Sequence, residues 1–258
     1  MASGHAVVEV INRGAAGPFV LACDHASNQI PAEFGNLGLD PALLQSHIAW
    51  DPGAREVAEE LARLLDAPLI LPRVSRLIHD CNRPLGSADA VPVKSEIYEI
   101  PGNRDLTLEQ RQDRGQRFYA PFHDTLRAIL ASRISAGRAP ILVTIHSFTP
   151  VYQGSVRTVE LGIVHDEDAR FADAILAIAG DSVGLVVGRN DPYGPEDGVT
   201  HTLRAQALPL GLLNVMIEIK NDLIGDATAQ AWMARCLAGC LTGALARVGP
   251  KKEAASHA

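Results

Sequence analysis

Cysteine is scarce in this chain, and the cysteines are never closely paired. The 258 residues contain four of them, and none forms a C-x-x-C pair. Such spacing is typical of reduced structural thiols in a cytosolic protein. We therefore expect a cytoplasmic protein. The four are Cys23, Cys81, Cys236 and Cys240.

Long apolar runs and an excess of positive charge are also missing. No window reaches about 18 uninterrupted apolar residues, the length that a membrane span requires. The first residues, MASGHAVVEVINRGAAG, lack the basic start and the long apolar run of a secretory signal. The formal net charge is −7, which does not suit a surface that binds phosphate backbones. We expect neither a membrane protein nor a nucleic-acid-binding one.

Alternating strand and helix patterns fill most of the chain. Its length suits one large α/β domain over residues 1–258, with a flexible tail from about residue 249. Helical spacing occurs near residues 52–67, 108–134, 167–180 and 227–248. This alternation predicts a three-layer αβα fold, with a mixed, mostly parallel sheet flanked by helices. The predicted strands are Phe19–Cys23, Leu69–Leu71, Ile141–Ile145, Glu160–Val164, Leu185–Val187 and Asn214–Ile219.

Two long segments have no regular pattern. One is RPLGSADAVPVKSEIYEIPGN, residues 83–103, and the other is GRNDPYGPEDGV, residues 188–199. Irregular segments of this length in a compact domain usually cover a functional site. We expect both to lie over one edge of the sheet.

Two histidines stand at the ends of predicted strands. His25 follows the first strand and His146 follows ILVTI, so both are expected at the edge where open α/β sheets bind ligands. Two imidazoles and one carboxylate are the protein ligands of many catalytic zinc sites. Asp51 is the candidate acid, although it could instead cap a helix that begins at Pro52. Asn28, three residues after His25, is a competing third ligand.

Two further acids are candidates for supporting roles. Glu218 lies inside the apolar run NVMIEIKNDL, where a carboxylate is costly unless it is paired or used. Burial raises the pKa of a carboxyl group, which suits a general base near neutral pH. The alternative is an ion pair with Lys220 or with an arginine. Asp24, next to His25, could instead hydrogen-bond to the ring nitrogen of a ligating histidine that does not bind the metal.

The segment RVSRLIHDCNRP concentrates groups that bind carboxylates. Arg76 and Arg83 carry planar guanidinium groups, whose two-pronged geometry matches a carboxylate, and Asn82 lies between them. Their position beside an expected lid predicts an acidic small-molecule ligand. The alternative is a set of ordinary surface ion pairs.

Six motifs in order resemble the N-formylglutamate amidohydrolase family. They are DHASN-x-IP, HIAWD-x-GA, SRL-x-x-D-x-NRP, PGNR, IHSFTP and EI-[RK]-x-DL. In this chain they occupy Asp24–Pro31, His47–Ala54, Ser75–Pro84, Pro101–Arg104, Ile145–Pro150 and Glu218–Leu223.

This resemblance implies a fold like that of zinc carboxypeptidases and a hydrolytic activity. The implied reaction converts N-formyl-L-glutamate to formate and glutamate, at the end of histidine degradation. The implied roles are metal binding by His25, Asp51 and His146, general base catalysis by Glu218, and substrate binding by Arg76, Asn82 and Arg83. Zn²⁺ is the expected cofactor, with Mn²⁺, Fe²⁺ or Co²⁺ as substitutes.

The chain departs from the related patterns at two positions. Asn28 stands where carboxypeptidases place a ligating Glu, which leaves the third ligand open. Lys220 replaces the Arg of the family's EIR, which removes a two-pronged donor and could change substrate preference.

Three other functions remain open from the sequence. One is hydrolysis of a different N-acyl amino acid or of a peptide-like amide. Another is a serine hydrolase that uses Ser147 beside His146, although the chain has no G-x-S-x-G turn. The third is a carboxylate-binding module that has lost the chemistry.

Overall fold

A seven-stranded sheet organises the molecule. The computed structural model describes residues 6–182 and 184–248, so the predicted flexible tail lies outside the described residues. Four further short strands form two hairpins. In chain order the strands are β1 (Val8–Ile11), β2 (Phe19–Ala22), β3 (Leu69–Pro72), β4 (Lys94–Ser95), β5 (Tyr98–Glu99), β6 (Ile141–Phe148), β7 (Val151–Tyr152), β8 (Ser155–Val156), β9 (Leu161–Val164), β10 (Val187–Arg189) and β11 (Asn214–Lys220).

The order of strands in the large sheet is β1-β3-β2-β6-β11-β9-β10. Strands β3, β2, β6 and β11 run parallel to one another, whereas β1 is antiparallel to β3 and β9 is antiparallel to β11. Strand β10 runs parallel to β9. The carboxyl ends of the four central strands therefore meet at one edge, as the prediction of a mixed, mostly parallel sheet requires.

Helices cover both faces of the sheet, which confirms the predicted three layers. Helices α1, α4 and α6 cover the face of the sheet that carries Phe19, Leu21 and the other strand residues whose side chains point to that face. Helices α3 and α5 bury the opposite face, with Leu142 and Met216 at its centre. The helices are α1 (Ala54–Leu64), α2 (Leu108–Arg114), α3 (Ala120–Ser135), α4 (Arg170–Ser182), α5 (His201–Gln206) and α6 (Ala227–Val248). None of the helices within the described residues is both long and apolar enough to cross a membrane.

Several element boundaries differ from the predictions. Strand β1 was not predicted, because all four of its residues are only half-buried and its pattern, VEVI, is short. Strand β6 continues through His146 to Phe148, so His146 lies inside the strand rather than after it. A π-helical turn, Gly115–Tyr119, separates α2 from α3, where the sequence predicted one continuous helix. Helix α1 begins at Ala54, two residues after the predicted start.

Three histidines pack around Tyr119 beside this π-helical turn. The ring centroids of His79 and His123 lie 5.4 and 4.1 Å from that of Tyr119, and the Tyr119 hydroxyl oxygen lies 2.8 Å from Nε2 of His201. Burial disfavours the charged imidazolium form and lowers the pKa of His79 and of His201 to about 4. The cluster is therefore neutral at physiological pH.

His79 makes stability sensitive to acid. In the unfolded chain a histidine takes up its proton near pH 6.5, whereas folded His79 does so only near pH 4. Stability that is complete above about pH 6.5 is thus lost as pH falls through this window. The substitution His79→Gln removes the titrating group. Its destabilising effect should be smaller at about pH 5 than at about pH 7.5, in urea unfolding of wild type and variant.

The exposed residue Gln112 supplies the control for this experiment. The substitution Gln112→Ala should change the unfolding free energy by the same amount at both pH values. A pH-independent difference between wild type and His79→Gln would contradict the role assigned to the buried ring.

Candidate active site

Neighbouring strand ends bring three of the predicted site residues together. His146 on β6 and Glu218 on β11 are directly paired across the two parallel strands. His146 lies four residues after Leu142 on β6, and Glu218 lies two residues after Met216 on β11. Because side chains alternate along a strand, both face the same side of the sheet as Leu142 and Met216, which is the side covered by α3 and α5. His25 follows the end of β2, the next strand on the other side of β6. Its ring centroid lies 5.0 Å from that of His146.

Asp51 reaches these histidines from the loop that precedes α1. Its backbone N–H donates to the carbonyl of His25 at 3.0 Å, which fixes the loop over the end of β2. The loop turns at Gly53, where φ is +79° and an added Cβ would lie 2.6 Å from the Ile224 carbonyl oxygen. Residue Gly53 occupies the N-cap position of α1, so the alternative role of Asp51 as a helix cap is wrong.

The three side chains form a compact buried cluster that could hold a divalent cation. Oδ2 of Asp51 lies 3.3 Å from Nδ1 of His25 and 3.0 Å from Nδ1 of His146. One ligand atom from each residue lies within 4.8 Å of the other two, and all three residues are buried. Two imidazole nitrogens and one carboxylate oxygen are donors that suit Zn²⁺ and leave a further coordination position open. This donor set fits the expected metal.

A second carboxylate contacts the far side of each imidazole. Nε2 of His25 lies 2.7 Å from Oδ1 of Asp80, and Nε2 of His146 lies 3.3 Å from Oδ2 of Asp24. Oδ2 of Asp24 also accepts a hydrogen bond from Thr202 at 3.0 Å. Such outer carboxylates fix which nitrogen of a ligating histidine faces the metal. Asp24 has the supporting position that the sequence predicted.

Asp80 was missed at the level of the sequence. It lies in the motif SRL-x-x-D-x-NRP, 55 positions from His25, and the motif was interpreted only through its arginines and asparagine. Its carboxylate accepts from the backbone N–H of Asn82 at 2.8 Å and from Nη2 of Arg76 at 3.0 Å. An acid between arginines and an asparagine in this short segment is the signal that could have identified it.

The charges of the cluster compensate one another. Burial opposes ionisation of Asp51, but the two imidazoles hold the pKa of its carboxyl group well below its usual range. Burial also opposes protonation of His146, yet the adjacent carboxylates of Asp24 and Asp51 raise the pKa of its imidazole well above the ordinary value. The site thus favours positive charge between these side chains. A bound cation would satisfy the same carboxylates, with release of protons from the imidazoles.

Glu218 is a buried carboxylate without an ion-pair partner among the described residues. Its Oε2 atom accepts no hydrogen bond, and Nζ of Lys220 lies 3.7 Å from Glu160 instead. Burial, reinforced by the charge of Asp51, raises the pKa of Glu218 to about 7. Gly162 flanks it on β9, where an added Cβ would lie 3.1 Å from the Cβ of Glu218. The alternative of a Glu218–Lys220 ion pair is therefore wrong.

A cavity of about 340 Å³ opens over these side chains. Its wall includes His25, Asp51, His146 and Glu218, together with residues from both long irregular segments. The segment 83–103 contributes Lys94 and Ser95 of strand β4, and the segment 188–199 contributes Tyr193 and Val199. Both segments lie over the sheet edge where the sequence placed them.

The three predicted substrate-binding residues line the cavity, but each already has partners in the protein. Nη1 of Arg76 donates to Asp51 at 3.3 Å, and its other terminal nitrogen contacts Asp80. The Asn82 side chain donates to the Val199 carbonyl and accepts from the backbone N–H of Thr202. Substrate contacts by Arg76 would therefore use its remaining donors.

Of the three residues, Arg83 has the most hydrogen-bond donors without a partner among the described residues. Its Nη1 atom donates to the carbonyl oxygen of Asp197 at 2.7 Å, and no carboxylate pairs with its guanidinium group within the described residues. It is half-buried in the cavity wall. Donors that point away from Asp197 remain available for a ligand.

The competing residues from the sequence have other partners. The Asn28 amide donates to the carbonyl of Leu44 at 2.9 Å and to Gln45 at 3.1 Å, so it does not join the His25, Asp51 and His146 cluster. The Ser147 hydroxyl donates to the carbonyl of Pro52 at 2.8 Å rather than to His146. The serine lacks the contact with a base that nucleophilic catalysis requires.

The model of the N-formylglutamate amidohydrolase family matches residues 17–225. The chain belongs to this family. The solved structure of a gene product from Agrobacterium tumefaciens is 54% identical, with a TM-score of 0.93, and the match covers 95% of this chain and 97% of that one.

A second solved structure shares the fold at much lower identity. It is the N-formylglutamate amidohydrolase from Ralstonia eutropha JMP134, with 19% identity and a TM-score of 0.67, covering 93% of this chain and 97% of that one. No functionally curated protein matches the chain. The family match confirms the resemblance that the six motifs indicated and assigns the chain to the amidohydrolases. The roles of individual site residues remain predictions.

The contact between Asp80 and His25 allows a test of whether the His25, Asp51 and His146 cluster binds a metal ion. The substitution Asp80→Asn keeps the size of the side chain but removes the charge that orients the His25 ring. Loss of such an outer partner weakens metal binding by about 10- to 100-fold. Competition for Zn²⁺ with a chelating dye measures this change.

Asp89→Asn is a matched control, because Asp89 is exposed, lines the same cavity and makes no contact with either histidine. This variant should bind Zn²⁺ as the wild type does. Equal affinity in the wild type and in Asp80→Asn would show that Asp80 does not support the cluster.

Proposed function

We propose that this protein is a metal-dependent amidohydrolase that cleaves the amide of an N-acyl acidic amino acid, with N-formyl-L-glutamate as its substrate. The observation that carries the proposal is the buried carboxylate of Glu218, which has no ion-pair partner in the described part of the chain and lies directly beside the His25, Asp51 and His146 cluster. Membership of the N-formylglutamate amidohydrolase family supports the same reaction. The products are formate and glutamate.

His25, Asp51 and His146 would hold the cation, with Zn²⁺ as the first candidate and Mn²⁺, Fe²⁺ or Co²⁺ as alternatives. A divalent cation held there supplies Lewis acidity, which polarises the amide carbonyl and makes water a better nucleophile at neutral pH. Asp80 and Asp24 keep the Nδ1 atoms of both imidazoles turned towards Asp51. The protein thereby presents its three donors in a fixed arrangement.

Glu218 moves the proton in this proposal. Its carboxylate accepts a proton from the attacking water and returns it to the amide nitrogen as the C–N bond breaks. A pKa of about 7 places both the acidic and the basic form within reach at neutral pH. The absence of an ion pair leaves the carboxylate free to exchange its proton.

Arg76 and the family's asparagine–arginine pair complete the site. Arg76 lies beside the carboxylates of Asp51 and Asp80, where its remaining donors can stabilise the negative charge that develops on the carbonyl oxygen. Arg83 supplies a two-pronged donor for a substrate carboxylate. Asn82 joins the Arg83 segment to Val199, which sets the distance between the two covering segments.

Formate release tests the substrate and the metal together. Purified protein should release formate from N-formyl-L-glutamate, lose this activity after treatment with a chelator, and regain it when Zn²⁺, Mn²⁺ or Co²⁺ is added. Metal analysis of the purified protein identifies the resident ion. Persistent activity in metal-free protein would contradict the proposed metal dependence, whereas activity only on other N-acyl amino acids would contradict the proposed substrate.

The role of Glu218 has its own test. The substitution Glu218→Gln removes the group that accepts the proton but leaves all three proposed ligands in place. We expect kcat to fall by about 10²- to 10⁴-fold while the protein still binds its metal in stoichiometric amount. The control is Glu160→Gln, which removes a carboxylate that pairs with Lys220 outside the cavity wall. Full activity in Glu218→Gln would exclude it as the base.

A further inference from the structure

Three basic side chains, excluding histidine, line the cavity: Arg76, Arg83 and Lys94. The guanidinium group of Arg76 is paired with Asp51 and Asp80. Within the described part of the chain, Arg83 and Lys94 have no carboxylate within the 4.0 Å that defines an ion pair. The cavity therefore offers two cationic groups that are not neutralised by a neighbouring carboxylate.

Lys94 lies on the first strand of the hairpin β4–β5, and the acid opposite it on the second strand pairs with a different residue. Glu99 is directly opposite it in the antiparallel pairing. However, the Glu99 carboxylate lies 3.1 Å from Nη2 of Arg104. A cross-strand ion pair would otherwise satisfy the ammonium group.

The hairpin that carries Lys94 is attached to its surroundings by Glu96. One carboxylate oxygen of Glu96 lies 3.0 Å from Nε2 of His47, and the other accepts from the backbone N–H of Gln153 at 2.9 Å. His47 precedes the loop of Asp51, and Gln153 is at the turn of the β7–β8 hairpin. These contacts hold Lys94 at a defined part of the cavity wall.

We propose that Lys94 determines specificity by binding the side-chain carboxylate of the substrate. This inference rests on the proposed function, because an N-acyl acidic amino acid carries two carboxylates and the cavity, among the described residues, has two cations without a carboxylate partner. The α-carboxylate is attached next to the scissile amide. It pairs with half-buried Arg83, three positions from the Asp80 that contacts His25. The side-chain carboxylate lies further out and pairs with the exposed ammonium of Lys94.

The test compares two substrates of nearly equal shape, N-formyl-L-glutamate and N-formyl-L-glutamine. In Lys94→Gln, kcat/KM for the acidic substrate should fall by about 10- to 100-fold, since a hydrogen bond to a charged group is lost. The value for the amide substrate should not change. Lys94→Arg keeps the charge and should keep the preference for the acid. Arg63→Gln removes an equal charge from an exposed site on α1 and should match the wild type.

Binding of the products separates failure of this inference from failure of the proposed function. Calorimetry with L-glutamate and L-glutamine measures the same discrimination without catalysis. If neither formyl substrate is hydrolysed, yet Lys94→Gln weakens binding of glutamate alone, the proposed reaction is wrong and the role of Lys94 stands. If formate is released but Lys94→Gln affects both substrates equally, or neither, the role of Lys94 is wrong.

Discussion

The carboxylate of Asp51 is the contact on which the rest of the site depends. Its Oδ2 atom lies within 3.3 Å of both imidazole Nδ1 atoms and of the Ser147 backbone nitrogen, while Arg76 donates to Oδ1. An isolated buried carboxylate would carry a desolvation penalty of several kcal/mol, so this convergence of donors is what permits it. The donors come from separate parts of the chain, and the buried charge therefore binds the ends of β2 and β6 to the loop before α1.

Local patterns in the sequence were sufficient for most of the sheet and for the residues at its edge. The strands β2, β6 and β11 are fully or almost fully buried, so each is visible in the sequence as a nearly continuous apolar run. Within the apolar run of β11, Glu218 could be recognised as a candidate because it is the single acid in that run. Strand β1 was missed because it is a half-buried edge strand that pairs only with β3. Its stability depends on a partner about 60 positions away, which periodicity does not reveal.

The connections between the site residues were much harder to predict than the residues themselves. Asn82 was expected to bind substrate, yet its side chain bridges to the Val199 carbonyl and the Thr202 backbone, about 120 positions away. Asp51 was a predicted site residue, but the sequence did not show whether it would cap helix α1. Gly53 occupies the N-cap position instead, in a turn that packs closely against Ile224. Composition and spacing identify the donors that a site contains. Only the fold determines which of them are already occupied.

The architecture separates the groups proposed for bond cleavage from those proposed for substrate recognition. His146 and Glu218 lie on central strands, and His25 directly follows one, so backbone pairing fixes their mutual positions. Arg83 and Lys94, which have no carboxylate partner among the described residues, instead lie on the segment 83–103, outside the large sheet. Side-chain contacts such as Glu96 with His47 and Arg83 with the Asp197 carbonyl help to hold this segment over the cavity. A change in that segment can alter which charge the cavity accepts while the proposed metal ligands and the proposed base keep their geometry. Substrate preference can therefore diverge among proteins that share this sheet and its buried carboxylates, because the two functions depend on different parts of the fold.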